Sequence, residues 1–294
     1  MQASSRSPAP HRRHPRMFPP NPNPTSLFPG GYHPDRSNIH HLPPGSHITH
    51  IGDNRIHAHH PNGTLLHDLP MLADHTTAAN KTNRALETGW VAFMEYHPPS
   101  PLLNFHTTWK VPASPKAYNG QTLFFFNSQS PLSSAGWGAI LQPVLQYGPS
   151  AAGGGAYWAV ASWYLSGGQT FHTTLQQVSV GQSLEGWISV SSHSGTVFNY
   201  NSQFHNIGDS TSLNIHGIRE LGSTDEAFEV YGLQSAANYP ASTVQVTDID
   251  MNYISGGKPP VHWVSTDVDQ SDAVKITVTQ SCCVSTTGKM VFAF

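Results

Sequence analysis

Two side chains in this sequence combine a reactive group with an apolar strand setting: Gln142 and Glu229. Gln142 lies in the stretch 139–164, AILQPVLQYGPSAAGGGAYWAVASWY. Its first half alternates with a period of two, as a sheet requires. Ala139, Leu141, Pro143, Leu145 and Tyr147 take one face, and Ile140, Gln142, Val144 and Gln146 the other. Gln142 and Gln146 therefore share a face, about 13 Å apart at the usual strand rise. After a glycine-rich turn the second half alternates again, with Tyr157, Ala159, Ala161 and Trp163 opposing Trp158, Val160, Ser162 and Tyr164. Glu229 sits in a similar run, AFEVYGL at 227–233, on a face shared with Tyr231. A carboxyl in a partly apolar cleft has its charged form destabilised and its pKa raised. Such a group can take a proton from water and later return it. A nearby amide can donate to the oxyanion that develops on a peptide carbonyl. The same residue pattern also describes the exposed face of an ordinary antiparallel sheet.

Other chemistries find less support. No G-x-S-x-G elbow occurs, and nothing nominates a nucleophilic serine. Glu226 and Glu229 fall on opposite faces of a regular strand and Glu185 is isolated, so no carboxylate pair for glycoside hydrolysis stands out. Histidines gather in the segment 46–69 (His47, His50, His57, His59, His60 and His67), and His57 and His59 share a strand face. No cysteine or cluster of carboxylates completes a ligand set there, so neither a metal nor a cofactor is expected.

The elements that must position Gln142 and Glu229 are strands. Only 11 % of the 294 residues are charged, while Gly (25) and Pro (24) are plentiful, which favours many turns and short strands. From 89 onward the strand signals recur at regular spacing: 90–96, 103–111, 122–127, the two strands around Gln142, then 171–178, 184–190, 197–204, 227–233, 244–249, 274–278 and 290–294. This pattern predicts an all-β, two-sheet antiparallel jelly-roll sandwich over 89–294. Residues 1–44, rich in Pro, His, Arg and Asn, predict a disordered tail. Residues 45–88 predict a small β-meander followed by a short helix or linker at 73–87.

From Ala85 onward, six basic and thirteen acidic side chains leave a net charge of −7. A nucleic-acid groove wants the opposite sign, so that class of partner is set aside. No apolar run reaches the ~18 residues of a membrane span, so no membrane partner is expected, and no secretory signal is readable. The two cysteines, Cys282 and Cys283, are adjacent, which does not suggest a disulfide framework.

ILQPVLQYG followed by YWAVASWY resembles the heart of the fungal glutamic peptidases, the eqolisins. FHTTWKVP at 105–112 resembles that family's early strand, and VSVGQSLEGWIS at 178–189 the strand, turn and strand after its aromatic motif. The likeness spans roughly 90–249. It implies a concanavalin-A-like sandwich in which Gln142, of Ile140-Leu141-Gln142, takes the catalytic glutamine role. Glu229, of Ala227-Phe228-Glu229, takes the glutamate role, with Glu226 as the alternative register. Gln146, Tyr157, Trp163, Tyr164 and Tyr231 would line the substrate cleft. Two positions depart from the family pattern. Ser162 stands where the family has a carboxylate, and FFFNSQS at 124–130 contains no acid.

The resemblance implies an acid endopeptidase with a polypeptide substrate and, by analogy, a secreted protein. The alternative is a non-catalytic, lectin-like sandwich holding a glycan or peptide, in which aromatic rings stack on sugars and amides reach hydroxyls.

Overall fold

The computed structural model describes residues 26–52, 54–72, 88–267 and 274–294. The helix or linker expected at 73–87 lies outside these residues. In chain order the strands are β1 (Leu27–Phe28), β2 (Gly31–Tyr32), β3 (Ile39–His41), β4 (His47–Ile51), β5 (Arg55–His59), β6 (Leu65–Pro70) and β7 (Thr88–Tyr96). Then come β8 (Leu102–Lys110), β9 (Thr122–Ser130), β10 (Ala139–Ser150), β11 (Gly153–Ser166), β12 (Gln169–His172), β13 (Gln176–Gln177) and β14 (Ser183–Ser194). The last are β15 (Val197–Phe204), β16 (Leu213–Ile218), β17 (Ser223–Tyr231), β18 (Val244–Tyr253), β19 (Val264–Asp267), β20 (Lys275–Gln280) and β21 (Gly288–Ala293).

The strands form a two-sheet sandwich. The front sheet runs β19-β7-β17-β9-β10-β11-β12-β3, with β13 also pairing β11. The back sheet runs β20-β21-β18-β8-β14-β15-β16-β4-β5-β6. Among the described residues, pairing is antiparallel except at two places, β12 with β3 and β16 with β4. Both parallel pairs bring in the first part of the chain.

The expectations for that first part are therefore corrected. Of the tail expected over 1–44, residues 1–25 lie outside the described residues, and 26–44 form a hairpin, a short 3-10 turn and a sheet strand. The meander β4-β5-β6 is an extension of the back sheet rather than a separate unit, joined to it through β4 and β16. Polar composition predicts disorder only when the segment must supply its own core. Here the core is supplied by the rest of the sandwich, and Leu42, Ile48, Ile56 and Ala58 are fully buried in it.

Two apolar clusters fill the space between the sheets. The larger joins Phe125, Leu145, Trp158, Phe228 and Val230 of the front sheet to Phe105, Trp109, Leu184 and Phe204 of the back. A third cluster covers the outer face of the front sheet: Phe93, Phe124, Phe126, Val144, Ala161, Trp163, Leu165, Ala227 and Tyr231. Its cover is the β1–β2 hairpin, whose Leu27 and Phe28 belong to the same cluster. Over β9, β17 and most of β10 the front sheet is thus buried on both faces. At the far edge of the sandwich, the sulfurs of Cys282 and Cys283 lie against each other, buried in the core.

Candidate functional site

β10 pairs β11 along its length, and β9 lies between β10 and β17. The period of two sends Leu141, Leu145 and Tyr147 into the sandwich and leaves Ile140, Gln142, Val144 and Gln146 outside. On β17 the same rule sends Phe228 and Val230 inward and Ala227, Glu229 and Tyr231 outward. Gln142 and Glu229 therefore belong to one face, and both are fully buried there.

What buries them is the tip of the β1–β2 hairpin. Leu27 pairs with Tyr32 and Phe28 with Gly31, leaving Pro29 and Gly30 as the two turn residues. Gly30 has φ of 117°, a conformation open to glycine and costly for other residues. The Gly30 N–H donates to both carboxyl oxygens of Glu229, at 3.0 Å each. The Gln142 amide nitrogen donates to the Pro29 carbonyl at 3.4 Å. The amide and the carboxyl thus hold the two polar ends of a single peptide unit. The Gln142 Oε1 atom is buried without a hydrogen-bond partner.

Tyr231 completes the setting of Glu229, its hydroxyl donating to Glu229 Oε1. The Tyr32 ring meets the Tyr231 ring edge-on at 5.4 Å. Burial pushes the Glu229 carboxyl up to about 8, against the weaker downward pull of the Tyr231 hydroxyl and the Gly30 N–H. Replacing Tyr231 by phenylalanine removes one of those donors. The Glu229 midpoint is then expected to move further up, measured as the pH at which its carboxyl carbon shifts in an NMR titration. An unmoved or lowered midpoint would show that the hydroxyl does not stabilise the charged form.

The other expected residues divide. Trp163 is on the outer face in the hairpin-covered cluster, its ring 4.8 Å from that of His172. Tyr157 shares that face by parity but lies farther along β11 and is exposed. Gln146 shares the face with Gln142, yet its side chain is committed to its own loop. It donates to the carbonyls of Gly148 at 2.7 Å and Gly153 at 2.9 Å, and it accepts from Ser150 at 2.9 Å. Tyr164 is a correction: it cannot line the same face as its neighbour Trp163. It points between the sheets, where its hydroxyl meets His50 at 2.9 Å. Glu226 also points inward, opposite Asn127, so the alternative register is not available to this face.

Ser162, in place of an acid, also points inward and donates to the Ser202 carbonyl of the back sheet at 3.2 Å. Among the described residues, no three of the meander histidines bring their ligand atoms together. The hairpin residues Phe28, Pro29, Gly30 and Tyr32 were missed. Their signal is LFPGGY, a Pro-Gly turn flanked by apolar residues.

One open cavity, about 400 Å³, lies away from this face, beside Trp137, Arg219 and Glu220. Another, about 280 Å³, adjoins the hairpin and is lined by Arg36, Ile39, His41, Ala151, Ala152 and His172. Neither contains Gln142 or Glu229, because the hairpin fills the space above them.

No protein-family model matches the chain, and no curated protein matches it. Among solved structures it is similar to scytalido-glutamic peptidase with a peptide-based transition-state analogue, at 14% identity and a TM-score of 0.41, covering 72% of this chain and 100% of that one. A second structure of scytalido-glutamic peptidase, with a transition-state analogue inhibitor, gives 14% identity, a TM-score of 0.39 and the same coverage. SCP-B, a member of the eqolisin family of peptidases in complex with the tripeptide Ala-Ile-His, gives 13% identity, a TM-score of 0.38 and again 72% and 100% coverage. The chain shares with these peptidases a distant likeness of fold.

Proposed function

We propose that the outer face of the front sheet is a peptide site at which Glu229 and Gln142 hydrolyse peptide bonds in acid solution. The observation that supports this reading is the seating of one peptide unit, Pro29–Gly30, between these two side chains. A group pair that already accepts an N–H and donates to the adjoining carbonyl is matched to a polypeptide backbone better than to a glycan.

The chemistry follows from the two groups. With the hairpin withdrawn and water admitted, the desolvation that raises Glu229 is relieved, and its carboxyl falls toward the ordinary carboxylate range. As the carboxylate it takes a proton from water while the water oxygen bonds to the carbonyl carbon. The Gln142 amide N–H donates to the oxyanion that forms. Glu229 then gives its proton to the amide nitrogen, the C–N bond breaks, and an acid and an amine leave. Trp163, Phe124 and Tyr231 would flank the peptide.

The test is hydrolysis of an unfolded protein in acid solution, in the presence of an aspartic-peptidase inhibitor. It is run with the full chain and with Phe28→Ala, which weakens the hold of the hairpin. In either background, Glu229→Gln and Gln142→Ala are expected to lower the rate by about 10²–10³-fold or more. Undiminished hydrolysis by both variants would reject the assignment. A non-catalytic peptide holder is the second reading, favoured by the absence of any acid at Ser162 and in 124–130. It predicts peptide binding without hydrolysis in both backgrounds.

A further inference from the structure

We infer that the β1–β2 hairpin is a built-in competitor of peptide ligands: an intramolecular plug that must withdraw before the Gln142–Glu229 face can be used. This rests on reading that face as a peptide site. The hairpin occupies both groups at once. Glu229 accepts from Gly30 with both oxygens and also from Tyr231, and Gln142 donates to Pro29. Leu27 and Phe28 fill the apolar cluster around Trp163 and Phe124 that an incoming side chain would need.

The seated backbone is a turn rather than an extended substrate. Pro29 and Gly30 form its tip, and the N–H on Glu229 takes the carboxyl oxygens that an attacking water would use. The plug is also tethered. The Ala151 N–H donates to the Leu27 carbonyl at 2.7 Å, holding the closed hairpin on the body of the protein, while the His33 N–H donates to the Ser26 carbonyl at 2.9 Å and closes the hairpin's own base. The His33 ring reaches the Gly168 carbonyl at 2.9 Å. Past these, the chain enters the front sheet as β3 beside β12. A segment so fixed can swing off the face without leaving the molecule, which suits reversible competition with a ligand.

The geometry names the residues that set its closure. A side chain at Gly30 would adopt a left-handed backbone, and its Cβ would lie 3.1 Å from Phe28 and 3.3 Å from Leu165. Gly30→Ala is therefore expected to favour withdrawal through backbone strain, and Phe28→Ala through lost burial. The experiment uses the full chain, Gly30→Ala and Phe28→Ala. The probe is a fluorescently labelled peptide of residues 26–33, SLFPGGYH. Binding is read by anisotropy, and hydrolysis of an unfolded protein is read in parallel.

Both variants are expected to bind the probe at least about tenfold more tightly than the parent, because less of the protein is closed against it. Any hydrolysis should rise in step and fall when unlabelled peptide is added. Tighter binding with no hydrolysis would uphold the plug and reject the peptidase reading. Equal hydrolysis and equal binding in parent and variants would reject the plug and leave the peptidase reading standing. No binding by any form would reject the plug. Should a variant fail to fold, Tyr32→Ala repeats the comparison, since this half-buried ring touches Tyr231 from the hairpin side.

Discussion

Replacing Glu229 by glutamine is expected to make the protein markedly more resistant to unfolding at pH 8 and to change it little near pH 4. Burial raises the Glu229 carboxyl from 4.5 to about 8. A carboxyl raised in the folded state contributes its stability fully below the unfolded value and loses it as pH rises through the folded one. Between pH 4.5 and pH 8 the folded protein keeps a proton that the unfolded chain gives up. At pH 8 the accumulated cost is on the order of 4 kcal/mol. Glutamine has the size and neutrality of the protonated acid and removes that cost. For a chain of this size, the gain at pH 8 is on the order of 10 °C in Tm. Glu226, also pushed well up by burial between the sheets, keeps the wild-type sign and supplies the slope that remains in the variant. Thermal unfolding of parent and Glu229→Gln at pH 4, 6 and 8 measures both. If the two proteins lose stability in parallel across that range, Glu229 is not held neutral in the folded state.

The parts of this arrangement that were legible in the sequence are those with one simple period. In β10 and β11, strict alternation separated the Gln142 face from the Leu141 face, and the structure turns the first outward under the hairpin and the second into the space between the sheets. The same rule, applied without exception, would have removed Tyr164 from the cleft, since adjacent strand residues cannot share a face. β17 was harder. All nine of its residues, STDEAFEVY, are buried, and a strand covered on both sides gives no hint of which face is outside. Parity separated Glu226 from Glu229, but only the hairpin over one face and the back sheet over the other tell the two environments apart.

The hairpin was hidden for a different reason. Six residues, LFPGGY, sit in a segment whose average composition signals disorder, and their order comes from a surface built by residues far along the chain. Gly30 meets Glu229 across 199 positions of sequence. β16 escaped for a related cause. Its run LNIHGI holds a glycine and a histidine, and it pairs in parallel with β4, from the opposite end of the chain. Local periodicity carries no information about partners at that separation.

Gly148→Ala is expected to be among the most destabilising single substitutions in the chain, costing about 4 kcal/mol or more. Gly148 follows the point where the β10–β11 register shifts, and its φ is 96°. A Cβ there would fall 1.9 Å from the Gln121 carbonyl oxygen and 2.9 Å from the Thr122 Cα. Both obstacles are backbone, so no side-chain rotation relieves them. The entry to β9 would have to move away from β10, breaking the Thr122 hydroxyl contact to the Pro149 carbonyl at 2.6 Å. Gln146 would also lose the Gly148 carbonyl to which it donates, and β10 is the strand that carries Gln142. Gly153 supplies the control. Its φ is 100°, yet a Cβ there meets nothing within 4 Å, so Gly153→Ala carries only the backbone strain, about 1–2 kcal/mol. Urea unfolding of the two variants separates close approach from strain. Equal losses would mean that β9 yields at little cost and that the packing of Gln121 against Gly148 does not hold β10 in place.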